Sequence, residues 1–413
     1  MPDLAASPPG AQRVHILGAG PVGLMLAALL QSVRGYSIRL YEKRPAYTRT
    51  RMVRLASYVV AESLASYHAD RIDGENVEAI FDPEELAEQL TFRQSIRSDL
   101  MSLLQEWTRG FCPLNTIEQS LSRLLEGGGP STVERVAGPV TVDQAIALAG
   151  PQDLLIDCTG CKSLLRDQLA PTAEPRTAEP RTAEPNTLCV RLEYAVVITF
   201  LYGQHYACNE LCKYHKNVDN TEYKFIPAVD RTCFDGDISH VTGIVNISPD
   251  DFERMPSQFD GRLLRRQFPA VARSMDRFID KIQQETHGEI LGDLEVVRIP
   301  LNLYRARNAT NRAWLPAGAS DHGFARARVF LAGDSAIGSP YFQSISLGFE
   351  CAMCLAGLLA RGAPMRETMD RYESYIYKQW LRVYMRSRLI KHNKDIFESV
   401  DDPVAVLEKL HIY

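Results

Sequence analysis

Val14-His15-Ile16-Leu17-Gly18-Ala19-Gly20-Pro21-Val22-Gly23-Leu24-Met25-Leu26-Ala27 is the stretch whose spacing decides the fold. A short apolar run leads into glycines spaced G-x-G-x-x-G, and an apolar helical segment continues to Leu30. Ile38-Arg39-Leu40-Tyr41-Glu42 then forms a second apolar run closed by an acid. Strand, tight turn, helix, strand and terminal carboxylate together make the βαβ pattern that binds a dinucleotide. Gly18 turns the chain sharply out of the strand, Gly20 lets main chain approach a pyrophosphate, and Gly23 lets the helix pack close to the strand. The first turn of the helix, with Pro21 and Val22, offers unpaired N–H groups and a positive dipole end to the phosphates. Glu42 is expected to accept hydrogen bonds from an adenosine ribose, with Lys43 and Arg44 beside it.

Composition narrows the class. The chain has 413 residues, 45% hydrophobic and 23% charged, with a formal net charge of −5, which describes an ordinary globular protein. No strong basic field exists, so nucleic acid is not expected as a partner. The longest apolar runs, Val22 to Leu30 and Ala195 to Leu201, fall short of a membrane span and read as a buried helix and a strand. Met1 to Gln12 is polar and proline-rich without an apolar core, so it reads as a tail and not as a signal peptide. Nine scattered cysteines suit reduced thiols, and a cytoplasmic location is expected. Cys158/Cys161, Cys351/Cys354 and the group Cys208, Cys212 and His215 have loose metal-ligand spacing, but four convergent ligands are not evident and no metal is expected.

Pro171 to Pro185 carries three copies of Thr-Ala-Glu-Pro. Proline every fifth residue forbids a helix and supplies no apolar face, so the segment reads as an extended, solvated loop. Before it, Ser95 to Trp107 has the period of an amphipathic helix, and Asp153 to Asp157 reads as a buried parallel strand. After it, Leu188 to Tyr202 and Asp237 to Ile247 read as antiparallel strands. Tyr194, Tyr202, Tyr206, Tyr214, Tyr223 and Phe225 supply aromatic residues to that region, and Leu294 to Tyr304 reads as its return strand. Arg328 to Asp334 is another buried strand entering a tight turn, and Arg366 to Phe397 reads as one long helix.

Three landmarks, in order, carry a resemblance to a family: Gly18 to Gly23 with Glu42; Asp157-Cys158-Thr159-Gly160-Cys161-Lys162-Ser163-Leu164-Leu165-Arg166; and Phe330-Leu331-Ala332-Gly333-Asp334-Ser335-Ala336. The sequence resembles the FAD-dependent aromatic-hydroxylase-like (class A) flavin monooxygenases. The resemblance implies an α/β fold: a Rossmann-like FAD-binding domain of the p-hydroxybenzoate-hydroxylase type, an inserted antiparallel β-sheet substrate domain and C-terminal helices. The corresponding division is a disordered tail at 1–12, FAD-binding segments at 13–75 and 76–170, the latter with some substrate-domain segments, and the low-complexity repeat loop at 171–186. A substrate-binding β domain at 187–300, a third FAD-binding segment at 301–362 and a helical region at 363–413 complete it.

By the same resemblance Asp334, freed by Gly333 for close approach, hydrogen-bonds a ribityl hydroxyl, and Arg97 lies against the FAD phosphate and ribityl region. Arg51 or Arg54 reaches the cofactor, and Thr159 and Gly160 belong to its middle motif. Beyond Pro340, backbone N–H groups of Ser344, Ile345, Ser346 and Leu347 face the flavin pyrimidine edge. Asn302, Tyr304 and Tyr341 are the candidate substrate contacts. The implied reaction uses NAD(P)H to reduce FAD, lets O2 react at flavin C4a, and transfers oxygen to a small aromatic or unsaturated molecule, which is hydroxylated or epoxidised, as in secondary metabolism. Two departures bear on it: Thr159 stands where the family has Asp, and Tyr341, Phe342 and Gln343 replace its usual glycines. These keep open a flavoenzyme without oxygen insertion, such as an oxidase, dehydrogenase, reductase or cyclase; a non-enzymatic flavin-binding regulatory protein, engaging partners through the Thr-Ala-Glu-Pro-Arg repeat, is the third reading.

Overall fold

Apolar runs buried on both faces are the mark of a parallel sheet, and here they come from both ends of the chain. The computed structural model describes residues 11–68, 80–148, 150, 152–169, 186–203, 223, 225–229, 238–312, 327–339 and 344–398, without the side chains of 228–229 and 390–398. The Thr-Ala-Glu-Pro repeat, the group Cys208, Cys212 and His215, Tyr206, Tyr214, and Pro340 and Tyr341 lie outside the described residues.

The first strands are β1 (Gln12–Leu17), β2 (Tyr36–Glu42), β3 (Met52–Val53), β4 (Cys112–Pro113), β5 (Thr132–Ala137) and β6 (Leu154–Asp157). There follow β7 (Thr187–Gly203), β8 (Phe225–Val229), β9 (Ile238–Ile247), β10 (Gln258–Asp260), β11 (Glu289–Ala306), β12 (Arg328–Leu331) and β13 (Ile337–Gly338). One sheet has the order β12-β6-β1-β2-β5 and is parallel throughout. Every residue of β6 is buried, as are Val329, Phe330 and Leu331 of β12. The helix Pro21–Gln31 packs against the helix Ser344–Ala360, and both are apolar nearly all round because each is covered on most sides.

The second sheet, β10-β11-β7-β9-β8, is antiparallel and is inserted between β6 and β12. One face is covered by helices Gly261–Gln267 and Pro269–Thr286, so Val196, Ile198, Phe200 and Tyr202 interlock with Met275, Phe278 and Ile282. Tyr194, Tyr202, Tyr223 and Phe225 belong to this helix-covered core or pack against it, which makes them structural aromatics. The far end of β11, still paired with β7 on one edge, pairs with β13 on the other, with Tyr304 opposite Gly338. The inserted sheet is thereby joined to the turn that follows β12.

The C-terminal helix Met365–Glu398 is fastened by an enclosed polar cluster in which Arg93 pairs with Glu350, and Tyr67 and Tyr375 each donate to Glu350 at 3.4 Å. Among the described residues no helix is long and apolar enough to cross a membrane.

Candidate functional site

At the C-terminal edge of the parallel sheet a cleft of about 490 Å³ opens between the ends of β1, β2, β6 and β12. Gly18 has φ +94°, and a Cβ there would stand 2.7 Å from the Cys158 carbonyl oxygen. A Cβ at Gly23 would lie 2.0 Å from the Gly18 oxygen, so this glycine permits the helix to seat on the turn. Gly20 differs: its Cβ would meet nothing closer than Arg49 Nη2, at 3.7 Å, because it faces the cleft. The helix Pro21–Gln31 begins there with no side-chain cap, and its first-turn N–H groups point out of the helix at that end.

Of the expected cofactor residues, Gly18, Gly20, Pro21, Val22, Glu42, Lys43, Arg44, Arg51, Thr159, Gly160, Asp334, Ser344 and Ile345 line this cleft. Gly23 and Gly333 lie under it, Gly333 at φ +60° with Val22 against it. Glu42 is held by Arg44, whose Nε and main-chain N donate to one carboxylate oxygen at 3.0 and 2.9 Å and whose Nη2 donates to the other at 3.0 Å. Burial works against the Glu42 charge, but these bonds and the Arg44 charge outweigh it and leave the pKa lowered.

Asp334 sits in the cleft floor, and its carboxylate has no hydrogen-bond partner among the described residues. Burial raises its pKa from 3.8 to about 6, against the opposing charges of Arg51, Arg166 and Arg49. A recessed acceptor without a donor is suited to a ligand hydroxyl.

The turn carrying Asp334 is clamped from two sides. Arg166 donates through Nε to Ser335 O at 2.9 Å and through Nη2 to Cys161 O at 2.9 Å and Asp334 O at 3.1 Å. Asp157, fully buried, accepts from Thr159 N at 2.8 Å, Thr159 Oγ1 at 2.6 Å, Ser163 Oγ at 2.6 Å, Leu165 N at 2.8 Å and Ser335 Oγ at 3.1 Å. The carboxylate absent at 159 is thus present two residues earlier, beneath the turn.

Several expected residues are elsewhere. Arg97 precedes the helix Ser98–Thr108 and is ion-paired with Asp99, with Nη1 reaching Gln31 Oε1 at 3.4 Å. Gln31 ends the helix whose other end opens on the cleft, roughly 15 Å away at 1.5 Å per residue. Arg97 is not among the residues that line the cleft. Arg54 Nε donates to Thr108 O at 3.4 Å on the exposed side. Ser346 Oγ accepts from Ala56 N at 2.9 Å and Leu347 is packed in the core, leaving only their main chain for a ligand. Tyr304 is a buttress and not part of the cleft lining: its hydroxyl donates to Asp334 O, and the Arg166 guanidinium lies 4.9 Å from its ring centroid. Asn302 also lies outside the lining, with its Oδ1 enclosed and unpartnered among the described residues.

The structure adds Arg49, which lines the cleft, and three groups that support it: Glu118, Asp157 and Arg166. Cys158, Cys351 and Cys354 are packed in the core between sheet and helix, where burial pushes their thiols up.

No family model matches the chain, and no curated protein matches it in sequence. Among solved structures, the Diels-Alderase PyrE3 of pyrroindomycin biosynthesis superposes with a TM-score of 0.52 at 16% identity, over 92% of this chain and 73% of that one. The tetrameric form of 2-methyl-3-hydroxypyridine-5-carboxylic acid oxygenase gives 0.50 at 13% identity, over 96% of this chain and 95% of that one. Identity at this level is a likeness of fold. The fold shared with these proteins is a parallel α/β layer split by an inserted antiparallel sheet.

Proposed function

We propose that the chain is an FAD-dependent oxidoreductase and, within that class, a monooxygenase that uses NAD(P)H and O2 to hydroxylate or epoxidise a small aromatic or unsaturated molecule. One observation carries the reading: Gly20, at an uncapped helix N-terminus, and Asp334, some 300 residues later, line one cleft. The residues present fit the group. A cradle open at Gly20 suits a pyrophosphate, and the unpartnered Asp334 carboxylate suits a ribityl hydroxyl. Main-chain N–H groups from Ser344 to Leu347, with their helix dipole, favour negative charge at the pyrimidine edge. When bound, FAD supplies the redox chemistry, accepting electrons from NAD(P)H and reacting with O2. The protein binds and orients it, and substrate selection falls to the inserted sheet.

A flavoenzyme without oxygen insertion, such as a cyclase, is the second reading. It is favoured by the middle turn, where Thr159 lines the cleft and the nearby carboxylate, Asp157, is spent on internal hydrogen bonds. A Diels-Alderase among proteins of this fold is consistent with it.

The deciding experiment is anaerobic reduction of the FAD-loaded protein with NADH or NADPH, followed by oxygen uptake with candidate substrates. Substrate-stimulated NAD(P)H oxidation is expected. Failure of both nicotinamides to bleach the flavin in the presence of substrates removes the monooxygenase reading. Failure to take up FAD at all removes both.

A further inference from the structure

We propose that Glu118 is a positioning residue for a bound diphosphate: one enclosed carboxylate holds the Arg44 and Arg49 guanidiniums over Gly20. The inference rests on the dinucleotide reading of the cleft. Glu118 lies on the helix Leu114–Glu126, one turn after Leu114, which lines the cleft; positions four apart share a helix face, so both are turned toward it. Its side chain is 0% exposed, unusual for a glutamate, and Oε1 accepts from Arg44 Nη2 at 3.2 Å and from Arg49 Nη2. Oε2 is enclosed without a partner among the described residues.

The other ends of these arginines are also fixed. Asn115 N donates to Arg49 O at 2.8 Å, tying that segment to the start of the same helix, while Arg44 is locked onto Glu42. The result is measurable at Gly20: a Cβ there would stand 3.7 Å from Arg49 Nη2 and 4.0 Å from Arg44 Nη2. The Nη2 ends of two guanidiniums thus stand beside Gly20, the glycine of the turn that is open to a phosphate, and bring two positive charges with N–H donors to that position.

A buried carboxylate is tolerable only while its cations stay in place, so Glu118 opposes their escape into water. Arg49 needs this most, since its side chain is 46% exposed. Glu42 and Glu118 together are matched by Arg44 and Arg49, so the group as a whole carries no net negative charge toward the incoming phosphates.

The test compares FAD, ADP and adenosine binding to the cofactor-free protein by calorimetry. Glu118→Gln keeps the shape and removes the charge. It is expected to weaken ADP and FAD about tenfold, the equivalent of one charge-assisted contact, and to leave adenosine unchanged. Arg49→Ala, at a half-exposed position, is expected to show the same diphosphate-specific loss, and it decides the matter if Glu118→Gln does not fold. A folded Glu118→Gln protein with wild-type or tighter ADP binding overturns the proposal, as does an Arg49→Ala protein with unchanged ADP affinity. A general loss that includes adenosine also overturns it, because a merely structural residue would produce that. If the wild-type protein binds neither FAD nor ADP, the dinucleotide reading itself falls, and the proposal falls with it.

Discussion

The Tyr304 hydroxyl donates to the main-chain oxygen of Asp334 at 2.8 Å. The bond joins the return strand of the inserted sheet to the turn that carries the recessed carboxylate. The ring also lies against Gly338, where a Cβ would come within 2.2 Å of it. Tyr304→Phe keeps that packing and loses the bond. It is expected to cost about 1 kcal/mol of stability and to weaken FAD binding several-fold, as read by thermal melting and flavin titration. Unchanged melting and flavin affinity would show that the contact does not hold the turn.

Arg166 satisfies main-chain oxygens on both turns and stacks on Tyr304, so shortening it strands buried acceptors. Arg166→Ala is expected to lose about 2–3 kcal/mol. Arg166→Lys should recover little of this, because an ammonium cannot reproduce the fork. Denaturant melts of both variants provide the check.

Asp334 has a raised pKa, so its charged form is the less stable one in the cofactor-free fold. Its favourable contribution is complete below about pH 4 and is lost as pH rises toward 6. Asp334→Asn should therefore stabilise the cofactor-free protein at pH 7 by about 1–2 kcal/mol after allowing for solvent reaching the cleft, with the gain vanishing near pH 4. The same variant should lose FAD. Flavin retention by the wild-type protein should rise between pH 5 and 7, as the carboxylate becomes the stronger acceptor. A stability difference that does not vary with pH would contradict the assignment.

Gly20 and Gly23 are predicted to behave oppositely. Gly23→Ala has no room and should unfold or severely destabilise the protein, while Gly20→Ala should melt within about 0.5 kcal/mol of wild type. Gly20→Ala should nevertheless fail to retain FAD, because its methyl group enters the phosphate cradle. Normal flavin content in a folded Gly20→Ala protein would mean that the phosphates lie elsewhere.

What could be read from the sequence was local. The turn from Gly18 to Gly23 and the strand ending at Asp334 announce themselves by glycine spacing and apolar runs, and their meeting in one cleft follows from strand order. The position of Arg97 relative to the cleft was not legible, because a helical period identifies a face and not which end of a neighbouring helix that face reaches; Arg97 meets Gln31, at the end of its helix away from the cleft. Glu118 was invisible for a related reason: among Asn115, Gln119 and Arg123 it reads as one more solvated position. Asp157 was visible as a strand end, but its partners at 163, 165 and 335 are set by tertiary structure.

The insertion between β6 and β12 has a consequence for the nascent chain. When residues up to 306 have left the ribosome, β5, β2, β1 and β6 can assemble, but β6 remains an unpaired edge until β12 is made. An exposed apolar edge invites pairing with other chains. The inserted sheet, contiguous from β7 to β11, has all its long strands by then and can fold while the edge waits. Truncation just before Arg328 should therefore yield aggregates, not a smaller soluble protein.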